Sequence, residues 1–211
     1  LLKIYNNPDV MIFDVSTGKN ARASYEQEHI PGAYFVDLNT QLADIKSDFA
    51  DGGRHPLPTV AAFAKTLTGL GISKNNHIII YDDNNGSNAA ARFWWMLKSA
   101  GHEKVQVLNG GINEAKKNNF PMSAKTEIIK PASESYLIDK WMLPTIEMQA
   151  VENVAQNPDY LVIDVRSKER YDGKIEPIDL IAARPSSTGT SASPSTRSAP
   201  PRCSATSSTW R

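Results

Sequence analysis

Residues 78–95 read IIIYDDNNGSNAAARFWW, and this stretch indicates the fold class. It opens with three isoleucines and a tyrosine, a composition typical of a strand that is buried on both faces. A polar loop with two aspartates and a glycine follows, and an alanine-rich helical pattern comes next. Passage from a strand through a short loop into a helix is how α/β proteins build a site at the carboxyl end of a sheet.

The same alternation of strand and helix continues along the chain. Apolar, β-branched runs predict strands at residues 10–15, 77–82, 105–108 and 160–165. Helical patterns separate them at 58–71, 87–101 and 144–157. Each helical pattern has a hydroxyl-bearing residue at its start that can cap it: Thr59, Ser87 and Thr145. We therefore predict an α/β fold in which helices flank both faces of a parallel sheet.

An internal repeat indicates the domain organisation. NPDVMIFDV at 7–15 and NPDYLVIDV at 157–165 share Asn-Pro-Asp and Asp-Val at identical spacing. Chance recurrence of a common turn is the alternative, but the whole helix–turn–strand unit recurs. We predict a first domain over residues 1–120, a linker over 121–143 and an incomplete second copy over 144–182.

The segment 183–211 has a different composition from the rest of the chain. It is dominated by Ser, Thr, Pro, Arg and Ala, and it has no hydrophobic periodicity. Such a composition cannot offset the entropy of ordering, so we predict a disordered, low-complexity tail. A sequence that is out of frame or replaced after about Ala182 is the second interpretation.

Charge and cysteine content exclude several classes of protein. The 211 residues carry 23 basic and 23 acidic side chains, so no long-range field draws the chain to nucleic acid or to a membrane. No apolar run is long enough to span a bilayer. A single cysteine excludes an internal disulfide and fits a cytoplasmic setting. The first residues lack the features of a signal peptide and look like a helix already under way, so a few preceding residues are expected to be missing.

Three stretches carry a resemblance to a known family. They are EHIPGAYFVDL at 28–38, IIIYDDNNGSNAAARFWWML at 78–97 and HEKVQVLNGGINE at 102–114. In this order and spacing they resemble the rhodanese family, and more closely the N-terminal half of tandem-domain thiosulfate and 3-mercaptopyruvate sulfurtransferases. The resemblance covers about residues 5–182.

The resemblance implies sulfur transfer through a cysteine persulfide. The donor would be thiosulfate or 3-mercaptopyruvate, a small anion, and the acceptor would be cyanide or a thiol, with no metal or organic cofactor. A loop between strand and helix suits a thiolate because backbone N–H groups and the helix dipole stabilise its charge. In this chain Asp82 occupies the nucleophile position of the first domain, and it cannot carry a transferable sulfur. Capping of the helix by Asp82 and Asp83 is the simpler interpretation of the pair.

The second copy has its own expected residues. The spacing from Asp14 to Asp82, applied from Asp164, places the reactive loop beyond residue 211, so no catalytic residue is expected in this chain. Cys203 lies in Pro-Pro-Arg-Cys-Ser, without a strand or a glycine-rich loop, and is interpreted as an incidental thiol. The resemblance implies that Arg170 binds the anionic substrate and that Asp164 belongs to the surrounding hydrogen-bond network.

Competing functions and the remaining polar residues complete the predictions. A non-catalytic rhodanese-like binding module is the alternative function, and its protein partner would be unknown. A nucleotide-binding or phosphatase-like α/β protein is the third and weaker alternative, because it would need phosphate contacts in the Asp82 loop, where two carboxylates repel phosphate. His29 is expected to fix the loop before a strand, and His55 and His102 lack a partner acid at metal or triad spacing.

Overall fold

The computed structural model describes residues 3–48 and 51–175. The chain divides into two compact units, with the boundary between Pro144 and Thr145, and each unit is described by itself. The predictions made for the segment 183–211, including Cys203, lie outside the described residues.

The first unit is built on a four-stranded sheet. Its strands are β1 (Val10–Asp14), β2 (Ala33–Phe35), β3 (His77–Tyr81) and β4 (Val105–Val107). The order across the sheet is β2-β1-β3-β4, and all three neighbouring pairs are parallel. The predicted parallel sheet is confirmed. β1 and β3 pair over their full length, which aligns their carboxyl ends at Asp14 and Tyr81.

Helices connect the strands of the first unit. They are α1 (Ala21–Gln27), α2 (Leu38–Gln41), α3 (Val60–Gly69), α4 (Ala89–Ser99) and α5 (Gly111–Lys117). Helix α3 begins as predicted, because the Thr59 side chain accepts a hydrogen bond from the Ala62 N–H at 3.2 Å. The second unit contains α6 (Met148–Val154) and α7 (Lys168–Tyr171).

The sheet is covered on both faces, because successive side chains of a strand point to opposite sides. On one face Phe13, Ile78 and Ile80 pack with buried side chains of α3 and α4. On the other face Ile12 and Ile79 pack with buried side chains of α5. Burial of each large apolar side chain contributes about 1.5–3 kcal/mol, so these two layers hold the strand ends in place.

The segment that we predicted as a linker lies within the first unit and packs against its helices. The Ala132 N–H donates to the Thr68 carbonyl at 2.9 Å, and the Met142 N–H donates to the Ser99 carbonyl at 2.7 Å. Trp141 lies against Phe63, with 5.4 Å between the ring centroids. These contacts tie residues 132–142 to α3 and α4.

Two predicted helix starts are wrong. Helix α4 begins at Ala89 rather than at Ser87, whose hydroxyl donates to the Asn84 carbonyl instead. Helix α6 begins at Met148, and Thr145 does not cap it. In the first case the Asp82 carboxylate takes the capping role, which a local sequence pattern does not reveal.

The predicted strand at 160–165 is also wrong for the described chain. This segment has no regular secondary structure, and its side chains are exposed, with Leu161 at 82% and Val165 at 92%. A strand forms only when a neighbour satisfies its backbone groups. The described residues of the second unit contain no strand, so the segment has no partner strand within them.

Candidate functional site

The Asp82 carboxylate lies at the centre of the loop between β3 and α4. Oδ1 accepts hydrogen bonds from the backbone N–H groups of Asn84 at 2.9 Å and Gly86 at 2.6 Å. Oδ2 accepts from the N–H groups of Asn88 at 3.3 Å and Ala90 at 3.2 Å. The side chain is only 1% exposed, so four backbone donors converge on one buried carboxylate. We call this arrangement the Asp82 cradle.

Glycines allow the cradle to close. Gly86 has a φ of +78°, and a Cβ there would lie 2.6 Å from Val107 Cγ1. Gly111 has a φ of +59°, and a Cβ there would lie 2.2 Å from the carbonyl oxygen of Asp82. The Ile112 N–H also donates to that oxygen at 3.1 Å. The start of α5 therefore packs directly on the loop, which explains the second glycine of the NGG motif, Gly111.

The cradle favours negative charge. Two of its donors belong to a turn, and the other two lie at the start of α4, where the helix dipole is positive. An anion at this position is stabilised without a metal ion. In this chain a carboxylate holds the position, and the neighbouring Asp83 is exposed, with its carbonyl accepting from the Asn113 amide at 3.1 Å.

A second buried carboxyl lies at the end of β1. Asp14 is 2% exposed; its Oδ1 accepts from the Ser16 N–H at 2.8 Å, and its side chain is hydrogen-bonded to Tyr81. The Tyr81 hydroxyl in turn accepts from the Ile30 N–H at 3.2 Å. Burial raises the pKa of Asp14, and the charge of Asp83 raises it further, although these hydrogen bonds oppose the shift. Burial likewise raises the pKa of Tyr81.

A cleft of about 520 Å³ opens at the carboxyl ends of β1 and β3. Asp14, Ser16, Asp83, Asn113 and Lys116 are among the residues that line it. In the strand order, β1 and β3 are the neighbours from which the chain turns to opposite edges of the sheet. Ligands of open α/β sheets bind at such a switch point. The cleft therefore lies where the fold places a site, beside the Asp82 cradle.

The histidines have structural partners. His29 is fully buried, and its Nδ1 donates to the Tyr25 carbonyl at 2.6 Å, so it lies in the loop before β2 as expected. His55 has a partner that the sequence did not reveal, because its Nε2 donates to the Asn39 amide oxygen at 2.9 Å. His102 is buried against Tyr136, and burial lowers its pKa.

Arg92, in the AARFWWML stretch of helix α4, binds the backbone at Leu42 and Pro56. Its guanidinium donates to the Leu42 carbonyl at 2.9 and 3.0 Å and to the Pro56 carbonyl at 3.1 Å. Burial lowers the pKa of this arginine. The sequence signal for this clamp was an arginine among the apolar residues 89–97.

In the second unit, Asp164 and Arg166 form a close pair. The Arg166 guanidinium donates to both carboxylate oxygens of Asp164, at 2.6 to 3.0 Å, and its backbone N–H donates to Oδ1 at 2.9 Å. Hydrogen bonds from Arg166 lower the pKa of Asp164, and the charge of Arg170 adds to this effect. Asp164 and Arg170, the two predicted residues, therefore lie close enough to interact electrostatically. Arg166 also interacts with Asp164, and the sequence did not predict this residue.

The internal repeat is visible in hydrogen bonds. Asn7 Oδ1 accepts from the Asp9 N–H at 2.9 Å, and Asn157 Oδ1 accepts from the Asp159 N–H at 3.0 Å. Asp164 also repeats the bond that Asp14 makes to the N–H two residues ahead, at nearly the same length. The two stretches that are related in sequence therefore make the same side-chain to backbone hydrogen bonds before and after the apolar segment.

The family comparison agrees with this geometry. The family model for the rhodanese-like domain matches residues 1–118. The chain belongs to the rhodanese family. It is 35% identical over 164 residues to a thiosulfate sulfurtransferase of Cricetulus griseus, which covers 77% of this chain and 53% of the relative. It is also 35% identical over 166 residues to a 3-mercaptopyruvate sulfurtransferase of Mus musculus, which covers 78% of this chain and 54% of the relative.

Two solved structures are similar to most of this chain. SseA of Escherichia coli, a 3-mercaptopyruvate sulfotransferase, superimposes with a TM-score of 0.70 at 26% identity, covering 85% of this chain and 68% of SseA. A 3-mercaptopyruvate sulfurtransferase of Leishmania major superimposes with a TM-score of 0.66 at 25% identity, covering 79% of this chain and 45% of that protein. The resemblance inferred from the three motifs is confirmed. The rhodanese chain spans about half the length of the curated relatives quoted above.

Two features are absent from the described residues. Within 3–48 and 51–175, no cluster of three or more His, Cys, Asp or Glu side chains is arranged to hold a metal ion. None of the helices in the same ranges combines the length and apolar character that crossing a bilayer requires.

Proposed function

We propose that this rhodanese chain belongs to a sulfurtransferase that moves sulfane sulfur from thiosulfate or 3-mercaptopyruvate to a thiophilic acceptor such as cyanide. The carrier would be a cysteine persulfide, and the first unit would be the non-catalytic domain. The observation that carries the proposal is the Asp82 cradle, in which four N–H groups surround the side chain at the strand–helix loop. Sulfurtransferase relatives of both donor types support it.

The chemistry of the cradle explains the division of roles. A thiolate in this position would be stabilised by the same donors and could accept a sulfur atom. A carboxylate has no sulfur to extend into a persulfide, so Asp82 keeps the loop folded without reacting. We infer that Asp82 occupies the nucleophile position of the first domain and that the chain as written has no catalytic residue and is inactive alone.

We assign substrate binding to the second domain. Arg170 would bind the anionic donor through its guanidinium, and Asp164 would orient the neighbouring arginines. The paired Asp164 and Arg166, with Arg170 close enough to lower the pKa of Asp164, support this assignment. The proposed domains are residues 1–120, a linker over 121–143 and a partial second domain over 144–182. We further propose that the protein is cytoplasmic.

Turnover of the chain tests the assignment directly. We expect purified chain to form no thiocyanate above background from thiosulfate and cyanide, and no pyruvate from 3-mercaptopyruvate and a thiol. A matched Cys203→Ser chain should give the same result. Turnover that disappears in Cys203→Ser would show that the tail thiol is the carrier and would overturn the proposal.

A cysteine placed in the cradle tests the nucleophile position. In a Cys203→Ser background, Asp82→Cys should have a thiol pKa below the usual value of about 8.5, because the N–H groups and the dipole stabilise the thiolate. Thiolate absorbance as a function of pH measures this, and circular dichroism confirms folding. Asp83→Cys, at the exposed neighbour, is the matched control. A folded Asp82→Cys protein whose pKa equals that of the control would contradict the assignment.

The alternative is a non-catalytic binding module. The intact sheet of the first unit and the unreactive Asp82 favour it, but Asp82 is buried, so a partner could contact only Asp83 and the rest of the loop surface. The encoding DNA discriminates the two functions. A glycine-rich cysteine loop in another reading frame after Ala182 supports the enzyme, and its absence supports the module.

A further inference from the structure

The chain contains two Asn-Gly pairs, and the structure places both beside the Asp82 cradle. Asn85-Gly86 forms the turn inside the loop, and Asn109-Gly110 forms the turn that leads into α5. The asparagine of an Asn-Gly sequence can deamidate spontaneously, because glycine has no Cβ to hinder attack by its backbone nitrogen on the asparagine side chain. Both asparagine side chains are exposed, so exposure alone does not distinguish the two pairs.

Hydrogen bonding does distinguish them. The Gly86 N–H, which would have to lose its proton to attack Asn85, donates to Asp82 Oδ1 at 2.6 Å. Loss of that proton would remove a charge-assisted hydrogen bond and leave a nitrogen anion facing a carboxylate. The contacts of the described residues include no acceptor for the Gly110 N–H, while the next N–H, of Gly111, donates to the Leu108 carbonyl at 3.0 Å.

We propose that Asn109 is a site of spontaneous deamidation and that Asp82 protects Asn85 from the same reaction. In the reaction the Gly110 nitrogen forms a bond to Cγ of Asn109, the Cγ–Nδ2 bond breaks, and ammonia leaves with the proton of the amide. Water then opens the cyclic imide at either carbonyl, giving aspartate or isoaspartate. One water is consumed and one ammonia is released, with no oxidation or reduction.

The isoaspartate product would change the backbone that packs against the Asp82 cradle. Isoaspartate inserts the former side-chain carbon into the backbone just before Gly110 and Gly111. The Gly111 α-carbon lies against the Asp82 carbonyl, and the Ile112 N–H donates to that same oxygen. A longer backbone at this turn cannot keep both contacts, so isoaspartate at 109 loosens the loop that holds Asp82.

Peptide mapping of the full chain by mass spectrometry tests the proposal. The native chain is incubated at mildly alkaline pH, and the mass gain of amide-to-acid conversion is followed at each pair. We expect Asn85 to react at least about tenfold more slowly than Asn109, the difference that a single charge-assisted hydrogen bond produces. In urea, where the cradle is lost, both pairs should react at similar rates.

Two variants complete the test. Asn109→Ser should abolish the main deamidated peptide, and Asp82→Ala should accelerate reaction at Asn85, with the urea comparison standing if that variant does not fold. Equal native rates at the two pairs, a faster rate at Asn85, or an Asn109 that reacts only in urea would each overturn the proposal.

Discussion

The Asp82 carboxylate accepts a hydrogen bond from the Gly86 N–H at 2.6 Å, and this bond closes the loop between strand β3 and helix α4. The same carboxylate reaches Ala90 at the first turn of the helix. A single side chain therefore fixes both the turn and the helix start. The loop depends on one buried charge rather than on several weak local caps.

Removal of that charge should destabilise the first unit strongly. Asp82→Ala leaves four backbone donors without their acceptor, one of them in a buried hydrogen bond and three in part-buried ones, and an unsatisfied buried donor costs about 1–3 kcal/mol. We expect a loss of about 3 kcal/mol or more in the free energy of unfolding, measured by urea denaturation. Asp83→Ala, at the exposed neighbour, should change it by less than about 0.5 kcal/mol. Similar losses for the two variants would disprove the central role of Asp82.

The Arg92 clamp gives a second prediction. Its guanidinium reaches two carbonyl groups, of Leu42 and Pro56, through more than one N–H. Lysine offers a single point charge without the planar fork, so Arg92→Lys should lower the free energy of unfolding by about 1–3 kcal/mol. Urea denaturation measures this as well. Arg22→Lys, on the exposed face of α1, is the control and should be nearly neutral.

Much of the fold could be predicted from the sequence. The strands around Ile12 and Ile79 and the helix capped by Thr59 follow from composition and periodicity, which are local properties. The start of α4 could not be predicted, because its cap is Asp82, several residues before the helix. A capping pattern that is read from adjacent residues misses such a contact.

At residues 160–165 the error is of the opposite kind, because the sequence predicts a strand that the described chain does not form. The composition of this segment is that of a buried strand, yet among the described residues it has no regular secondary structure. Strand formation is a property of the sheet, whereas composition is a property of the segment. The sequence predicted Asp164 and Arg170 as site residues of the second unit but not Arg166, since a pairing two residues away leaves no periodic signal.

Asp14 predicts a dependence of stability on pH. Burial raises its pKa in the folded state, so the folded protein holds this proton more tightly than the unfolded chain does. The associated stabilisation is complete below the ordinary aspartate pKa of about 4 and is lost as the pH rises through the folded value. Asp14→Asn keeps an oxygen for the Ser16 N–H and removes the titration.

We therefore expect the free energy of unfolding of Asp14→Asn, minus that of the unmodified chain, to increase with pH from about 4 upward. Urea denaturation at several pH values measures this difference. Asp9→Asn, in an exposed turn, reports the general effect of removing a carboxylate. A difference that is constant with pH would show that Asp14 does not titrate as its burial implies.

His102 predicts a dependence with the opposite sign. Its Nε2 donates to the Asn76 carbonyl at 3.0 Å, so in the neutral ring Nδ1 accepts from the Tyr136 hydroxyl at 2.9 Å. Burial lowers its pKa, and the nearby Lys74 and Lys98 oppose a further positive charge. Because the folded value is depressed, the associated stability is present above the ordinary histidine pKa of about 6.5 and is lost as the pH falls through the folded value.

The unmodified chain should thus lose stability on acidification below about pH 6.5, and His102→Asn should lose less over the same range. Thermal or urea unfolding between neutrality and moderate acidity measures both slopes. His77→Asn, at the start of strand β3, where the His77 ring is hydrogen-bonded to Gln106 and not to Tyr136, controls for the loss of one histidine. Tyr136 belongs to the segment 132–142, which is tied to helix α3. The protection of this segment from hydrogen exchange should therefore decrease as His102 becomes protonated. Parallel slopes for His102→Asn and the unmodified chain would exclude His102 as the origin.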